Sequence, residues 1–310
     1  MAEIPKPSPK PSQVLVKVKA SAITNMEYMR FGRMGFGRIL NLAIHATGKP
    51  LGIEFAGIVE ETGADVNSLR KGDEVYGFAK GFIGAWAEYV IASEKEVSKK
   101  PGALSFEEAG ALPTGGITAL GAVYAAKIQQ GQEVLVQGGS GGVGHLIVKL
   151  AKAYGSIVTA VCSTRNVEIT KSNGADHVVD YRKENLADIG KTYDKIIAVN
   201  GYQPLSVYKK LLNKGGIYVL IGGTGKALSG MVTGSIRFIG SGMKFTSAAF
   251  PFQPKKQMLE KLCSMADAGK LKPYLDYVFA LDEVAKAIEY ILTEHPQGKV
   301  GLRMDFDSIS

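Results

Sequence analysis

The chain has 310 residues, of which 45% are hydrophobic and 21% charged, with a formal net charge of +8. That is enough for one large or two ordinary domains with a sizeable core, and it excludes a disordered chain. No apolar run reaches the ~20 residues of a membrane span, the proline–lysine start is not a signal peptide, and the scattered lysines and arginines suggest anionic ligands rather than nucleic acid.

There are only two cysteines, Cys162 and Cys263, and they form no CxxC pair. This excludes a disulfide framework and a four-cysteine zinc loop, and it predicts a reducing, cytoplasmic setting. The histidines His45, His145, His177 and His295 lack ligand spacing, so they read as surface or packing residues and no metal is expected.

After an extended "MAEIPKPSPKPS" lead, "QVLVKVKASAI" alternates Val14, Val16 and Val18 with polar partners, as a half-buried strand does. "FAGIVEETG", "DEVYGF" and "GAWAEYVIA" follow as short strands between glycine and Asn/Ser turns, which makes the region to about Lys100 all-β. "SFEEAGALPTGGITALGAVYAAK" then turns helical, with Ser105 and Glu108 spaced as a capping box. From Gln132 the strands "EVLVQG", "SIVTAVC", "HVVDY", "DKIIAVN", "GGIYVLIG" and "MKFTS" alternate with the helices "GHLIVKLAKAYG", "NVEITKSNG" and "PLSVYKKLLNKG". Nearly continuous apolar strands between amphipathic helices predict a parallel sheet covered on both faces. Beyond Pro254, helix, strand, helix and the strand "GKVGLRM" break that rhythm. The expected fold is α/β: a doubly wound parallel sheet nested in a β-rich domain that the C-terminus completes.

The run "GGSGGVG" places Gly139, Gly141 and Gly144 at GxGxxG spacing, between a buried strand and a helix whose apolar face carries Val143, Leu146, Ile147, Leu150 and Tyr154. Glycine serves there for the tight turn, for backbone approach to a pyrophosphate and for close helix–strand packing. Gly139, Ser140, Gly141, Gly142, Val143 and Gly144 are therefore the expected phosphate cradle, facing the amides of a helix N-terminus. The second strand ends in Cys162, Ser163, Thr164 and Arg165, with no acid before Glu168. A carboxylate at that point holds the ribose 2′-hydroxyl of NAD, whereas hydroxyls and a guanidinium suit a 2′-phosphate, so NADPH is the expected cofactor.

The motifs "LGIEFAGIVEETG", "KGDEVYGF", "GAWAEYV", "ALPTGGITAL", "GGSGGVG", "NGADHVVDY" and "GGIYVLIG" occur in the order seen in medium-chain dehydrogenase/reductases. From Val14 onward the chain resembles their zinc-free quinone oxidoreductase (zeta-crystallin-like) branch. The resemblance implies a GroES-like catalytic domain over residues 1–108 and 249–310, a Rossmann NADP-binding domain over 109–248, and a homodimer. It also implies cofactor contacts at Thr118, Tyr181, Asn200, Gly222 and Lys299.

Zinc relatives carry cysteine where this chain has Thr24 and histidine where it has Ile53, and neither residue replaces a thiolate or imidazole ligand. The quinone reductase branch commonly has asparagine at Thr24 and aspartate at Glu27. Thr24 and Tyr28 are the candidate catalytic residues, Tyr28 as proton donor or ring-stacking partner, or else as an ordinary buried tyrosine. Relatives open with a further strand and a "GGP"-type turn, so this chain predicts an unusual edge to the catalytic domain. The stretch bearing Arg30, Arg33 and Arg38 reads either as a flap over substrate or as a surface helix–loop.

The expected function is NADPH-dependent, zinc-independent reduction of a quinone or another α,β-unsaturated carbonyl by direct hydride transfer. The alternatives are an enoyl-thioester reductase, an NADPH-binding structural or regulatory protein without turnover, and a basic RNA-binding protein.

Overall fold

The computed structural model describes residues 3–24, 27, 48–200, 203–222, 234, 236–247 and 254–306. Tyr28, Arg30, Arg33, Arg38 and His45 lie outside the described residues. The chain divides into two units, Met1–Ile117 with Gln253–Ser310, and Thr118–Phe252. The first division falls within the helix Pro113–Ala126 rather than at the 108/109 step. The change of rhythm at Ser105 marks where helical structure begins, and the unit ends further along.

The first unit is built on a seven-stranded sheet. Its strands are β1 (Gln13–Ile23), β2 (Glu54–Thr62), β3 (Glu74–Phe78), β4 (Tyr89–Ser93) and β5 (Val97–Lys99), with β12 (Leu275–Ala280) and β13 (Lys299–Arg303) returning from the far end of the chain. The order is β12–β13–β1–β2–β3–β5. One edge of β1 is shared, by β4 along Gln13–Lys17 and then by β13 along Ala20–Ile23. The alternation in β1 predicts one wet face, yet Leu15, Ser21 and Ile23 of the alternate set are buried along with Val14, Val16 and Val18. The reason is its central place. Val16 and Val18 join Phe55, Val75 and Val90 in the core, while the helix Phe106–Gly110 lies so close that a Cβ on Gly110 would stand 3.0 Å from the Ala20 backbone.

The stretch that turns helical from Ser105 forms two helices, Phe106–Gly110 and Pro113–Ala126. Pro113 lacks an N–H and restricts the residue before it, so it opens the second helix instead of continuing the first. The capping box of Ser105 and Glu108 is formed in both directions. The helix Lys255–Asp267 docks on the same unit, where the Tyr76 hydroxyl donates to the Leu259 carbonyl at 2.6 Å and Lys255 pairs with Glu96.

The second unit holds a six-stranded sheet of β6 (Glu133–Gln137), β7 (Ile157–Cys162), β8 (His177–Asp180), β9 (Tyr193–Val199), β10 (Leu212–Ile221) and β11 (Lys244–Ser247). Every pairing is parallel, in the order β11–β10–β9–β6–β7–β8. The chain thus leaves β6 toward β7 and β8, then returns to β9 on the other side of β6. This is the doubly wound order, with its switch point between β6 and β9. The helix expected over 204–215 stops at Leu211, and β10 begins at once with an irregularity before Ile217.

Tyr76→Phe removes a buried donor and is expected to lower stability by about 0.5–1.5 kcal/mol. Urea denaturation will show it as a lower midpoint at unchanged m-value.

Candidate active site

The cradle starts where β6 ends. The Gly138 and Gly139 amides donate to the Val161 carbonyl at 3.1 and 3.0 Å, which pins the turn to the end of β7. A Cβ on Gly144 would lie 1.9 Å from the Gly138 oxygen, and one on Gly139 would lie 2.8 Å from the Ala160 Cβ. Only glycine permits either approach. At Gly141 an added Cβ would meet nothing nearer than 3.6 Å, so the loop backbone is open to an approaching group there.

Val143 precedes the helix Gly144–Ala153 and supplies no side-chain cap to it. An uncapped helix start behind a glycine loop presents amides and the positive end of the dipole to an anion. The loop is braced from behind, because His145 is fully buried and its Nδ1–H donates to the Gly141 carbonyl at 2.8 Å. From the side, Asn166 donates to the Ser140 oxygen at 2.9 Å. That bond leaves the Ser140 O–H to donate forward. This set of donors and close approaches fits a dinucleotide pyrophosphate.

Ser163, Asn200 and Gly222 follow the carboxyl ends of β7, β9 and β10, on the same edge of the sheet as the cradle. Asn200 has φ +66 and donates its amide to Ile221, and Gly222 has φ +58. Thr164 and Arg165 are exposed just beyond Ser163, and Thr118 is half-buried in its helix.

Tyr181 follows β8 and is 52% exposed. It lines a depression of about 350 Å³ together with Arg182, Lys183, Asn185, Leu186 and Gln203. Asp180, which pairs in register with Cys162, is the acid that strand-by-strand reading of the sequence misses. Burial presses its pKa upward. The Thr164 hydroxyl, the Arg182 amide and the nearby Lys183 and Arg182 charges outweigh this and hold it below the usual value. Its Oδ1 accepts from the Arg182 amide at 3.1 Å, while its Oδ2 has no hydrogen-bond partner among the described residues.

The first unit carries a buried polar cluster. Glu54 is fully buried; its Oε1 accepts from Lys299 Nζ at 2.8 Å and its Oε2 from the Thr114 amide at 2.6 Å. Lys299 thus lies in a buried ion pair at the start of β13. Thr24 donates its amide at 2.9 Å, and its hydroxyl, to one oxygen of Glu27. Glu27 is 0% exposed, and its other oxygen, Oε1, has no hydrogen-bond partner among the described residues. Burial raises its pKa; the Thr24 bonds oppose that rise and the nearby Glu54 charge adds to it.

Residues 10–102 match the family described as alcohol dehydrogenase GroES-like domain, and residues 173–301 match that described as zinc-binding dehydrogenase. The 2-methylene-furan-3-one reductase of Solanum lycopersicum is 36% identical over 309 residues, covering 95% of this chain and 72% of that protein. The chain belongs to the medium-chain dehydrogenase/reductases, in their quinone oxidoreductase branch. The chloroplastic NADPH-dependent alkenal/one oxidoreductase of Arabidopsis thaliana is 34% identical, covering 95% of this chain and 72% of that protein. The structure of the quinone oxidoreductase from Coxiella burnetii superposes with a TM-score of 0.82 at 30% identity, over 97% of this chain and 93% of that one. The medium-chain dehydrogenase/reductase described above is thus an oxidoreductase with a GroES-like unit and a Rossmann unit.

Thr24 and Ile53 stand at the two positions compared above with zinc ligands. Thr24 is bonded to Glu27, and the Ile53 side chain carries no donor atom.

Lys299→Met strands the Glu54 carboxylate in the core and is expected to lower stability by about 3–5 kcal/mol. Urea denaturation of Lys299→Met alongside the double variant Lys299→Met/Glu54→Gln tests this, since the double variant recovers most of the loss if the pair is what matters.

Proposed function

We propose that this oxidoreductase is an NADPH-dependent, zinc-independent reductase of α,β-unsaturated carbonyl compounds, quinones among them. The observation that carries this reading is its likeness, across 95% of the chain, to two proteins named for reducing a methylene-furanone and for acting on alkenals and alkenones with NADPH. The residues support it independently. The cradle Gly139–Gly144 would hold the pyrophosphate. Ser163, Thr164 and Arg165 would take the 2′-phosphate, with Tyr181 at the adenosine end and Thr118, Asn200 and Gly222 toward the nicotinamide. Lys299, implied as a cofactor contact by the resemblance, gives one donor to Glu54.

Bound NADPH supplies a hydride. A carbonyl conjugated to a carbon–carbon double bond is already electrophilic, so it accepts hydride without a Lewis acid. The chemistry at Thr24 and Ile53 is consistent with that. What the chain must then do is orient the two reactants, exclude water and deliver a proton. A homodimer in a reducing compartment such as the cytoplasm completes the reading; both cysteines are free thiols.

NADPH oxidation measured in parallel with 2-alkenals, 1,4-benzoquinone, 9,10-phenanthrenequinone and an enoyl thioester tests the function. Turnover with enals or quinones is expected, and no turnover with any acceptor overturns the reading. Arg165→Ala is expected to raise the KM for NADPH by about 10- to 100-fold, the loss of one charge-assisted hydrogen bond, with little effect on NADH. Unchanged cofactor preference overturns the 2′-phosphate assignment.

A further inference from the structure

We propose that Lys195, with Lys127 and Lys244, forms a second anion site at the amino-terminal edge of the parallel sheet, and that it takes a compact phosphate or pyrophosphate group. The site lies wholly within the unit Thr118–Phe252 and goes beyond the reductase reading without resting on it.

The placement follows from strand register. Lys195 of β9 stands level with Val134 of β6 on one side and with Ile217 of β10 on the other. Ile217 in turn stands level with Lys244, the first residue of β11. Residues level on parallel strands share a face, so Val134, Lys195, Ile217 and Lys244 form one row. Two strand spacings put the Lys195 and Lys244 backbones about 10 Å apart, a gap that two four-carbon side chains close around one ion. Lys127, directly after the helix Pro113–Ala126, is the third member, and both it and Lys244 act on the Lys195 ammonium as nearby like charges. The glycine loop leaves the opposite end of the sheet, and from Val134 to Gly138 along β6 is about 13 Å.

The charges in this row are unanswered. Among the described residues two lysines are buried, Lys195 at 7% exposure and Lys299 at 6%. Lys299 has Glu54 at 2.8 Å, whereas the side chains of Lys195, Lys127 and Lys244 make no hydrogen bond or ion pair among the described residues. The acids at this edge are engaged elsewhere. Asp194 belongs to the other face of β9, where its Oδ2 accepts from the Glu133 amide and its Oδ1 from the Asn213 side-chain amide, both at 3.0 Å. Glu133 pairs with Lys191 at 2.9 Å. Residues 201–202, 223–233, 235 and 248–252, which complete the unit, contain no acid.

A buried ammonium beside two like charges, with no counter-charge, is costly. Burial and the two lysines accordingly hold its pKa below the usual lysine value, against the pull of Asp194. Lysine lays its stem along apolar neighbours and turns its head to water, here from between Val134 and Ile217 toward the exposed Lys127 and Lys244. One ammonium at the base and two at the rim meet an anion from several sides. A phosphate group has enough oxygens and charge to answer all three, and lysine binds phosphate as a point charge.

Calorimetric titration of the protein with inorganic phosphate, pyrophosphate and glycerol 3-phosphate, at an ionic strength matched with chloride, tests the site. Binding of pyrophosphate is expected, with a Kd raised about 10-fold or more by Lys195→Met and by the double variant Lys127→Gln/Lys244→Gln. Glycerol 3-phosphate binding at the same lysines assigns a phosphate carried by a small molecule; binding of the inorganic ions alone assigns the free ion. The glycine loop also attracts anions, so the titration is repeated with saturating NADPH, and lysine-dependent binding is expected to persist. Absence of binding by all three probes, an unchanged Kd in Lys195→Met, or complete displacement by NADPH overturns the site. If Lys195→Met does not fold, the double variant at the two exposed lysines decides by the same criterion. If NADPH does not bind, the cofactor assignment fails by itself, and the lysine variants still decide the anion site.

Discussion

Glu54 and Lys299 are 245 residues apart and meet as a buried ion pair at 2.8 Å. Dehydrating two charges is expensive, so such a pair holds only where other donors finish the job. Here the Thr114 amide takes the second carboxylate oxygen. The pair fastens β13, which carries Lys299 and lies beside β1, to β2, on the far side of β1. The first unit is therefore closed by residues from both ends of the chain, and everything from Thr118 to Phe252 is an insertion between them. A sheet that needs its last strand for its middle cannot be complete until the inserted unit has been made.

The inserted unit answers to a different constraint, that of parallel strands. Each crossover must return to the same end of the sheet, so all the strand-to-helix turns collect at one edge, and the reversal between β6 and β9 opens a crevice there. The glycine loop uses that crevice through close approach, since Gly144 and the Gly138 oxygen leave no room for a side chain. The cofactor preference comes from a different source. The residues proposed for it lie after β7 and β8, next to Asp180, whose pKa is held below the usual value by Thr164, the Arg182 amide and nearby cations. Packing fixes the shape of the glycine loop, and the charges beside it are what the proposed cofactor selectivity rests on.

The two carboxyls of the first unit show how burial divides similar groups. Glu54 has a cation and an amide and holds structure together. Glu27 has one threonine, an orphaned oxygen and a like charge nearby, and its pKa is pushed upward.

The amino-acid sequence by itself determined the order of elements, the doubly wound rhythm, the glycine cradle and the capping box at Ser105, because periodicity, turn residues and caps act over a few neighbouring residues. It also carried the family, through motifs in register over nearly the whole chain. It did not determine that β1 would be covered on both faces, that Pro113 would split one helical stretch into two packed helices, or that β5, only three residues long, would extend the sheet. Nor did it bring Asp180 beside Thr164, Asn166 onto Ser140, or Lys299 into the core against Glu54. Those are contacts between strands or between distant segments, and they exist only once sheet order and register place the side chains together. The orphaned oxygen of Glu27 is of the same kind, because whether a polar atom lacks a partner depends on everything packed around it.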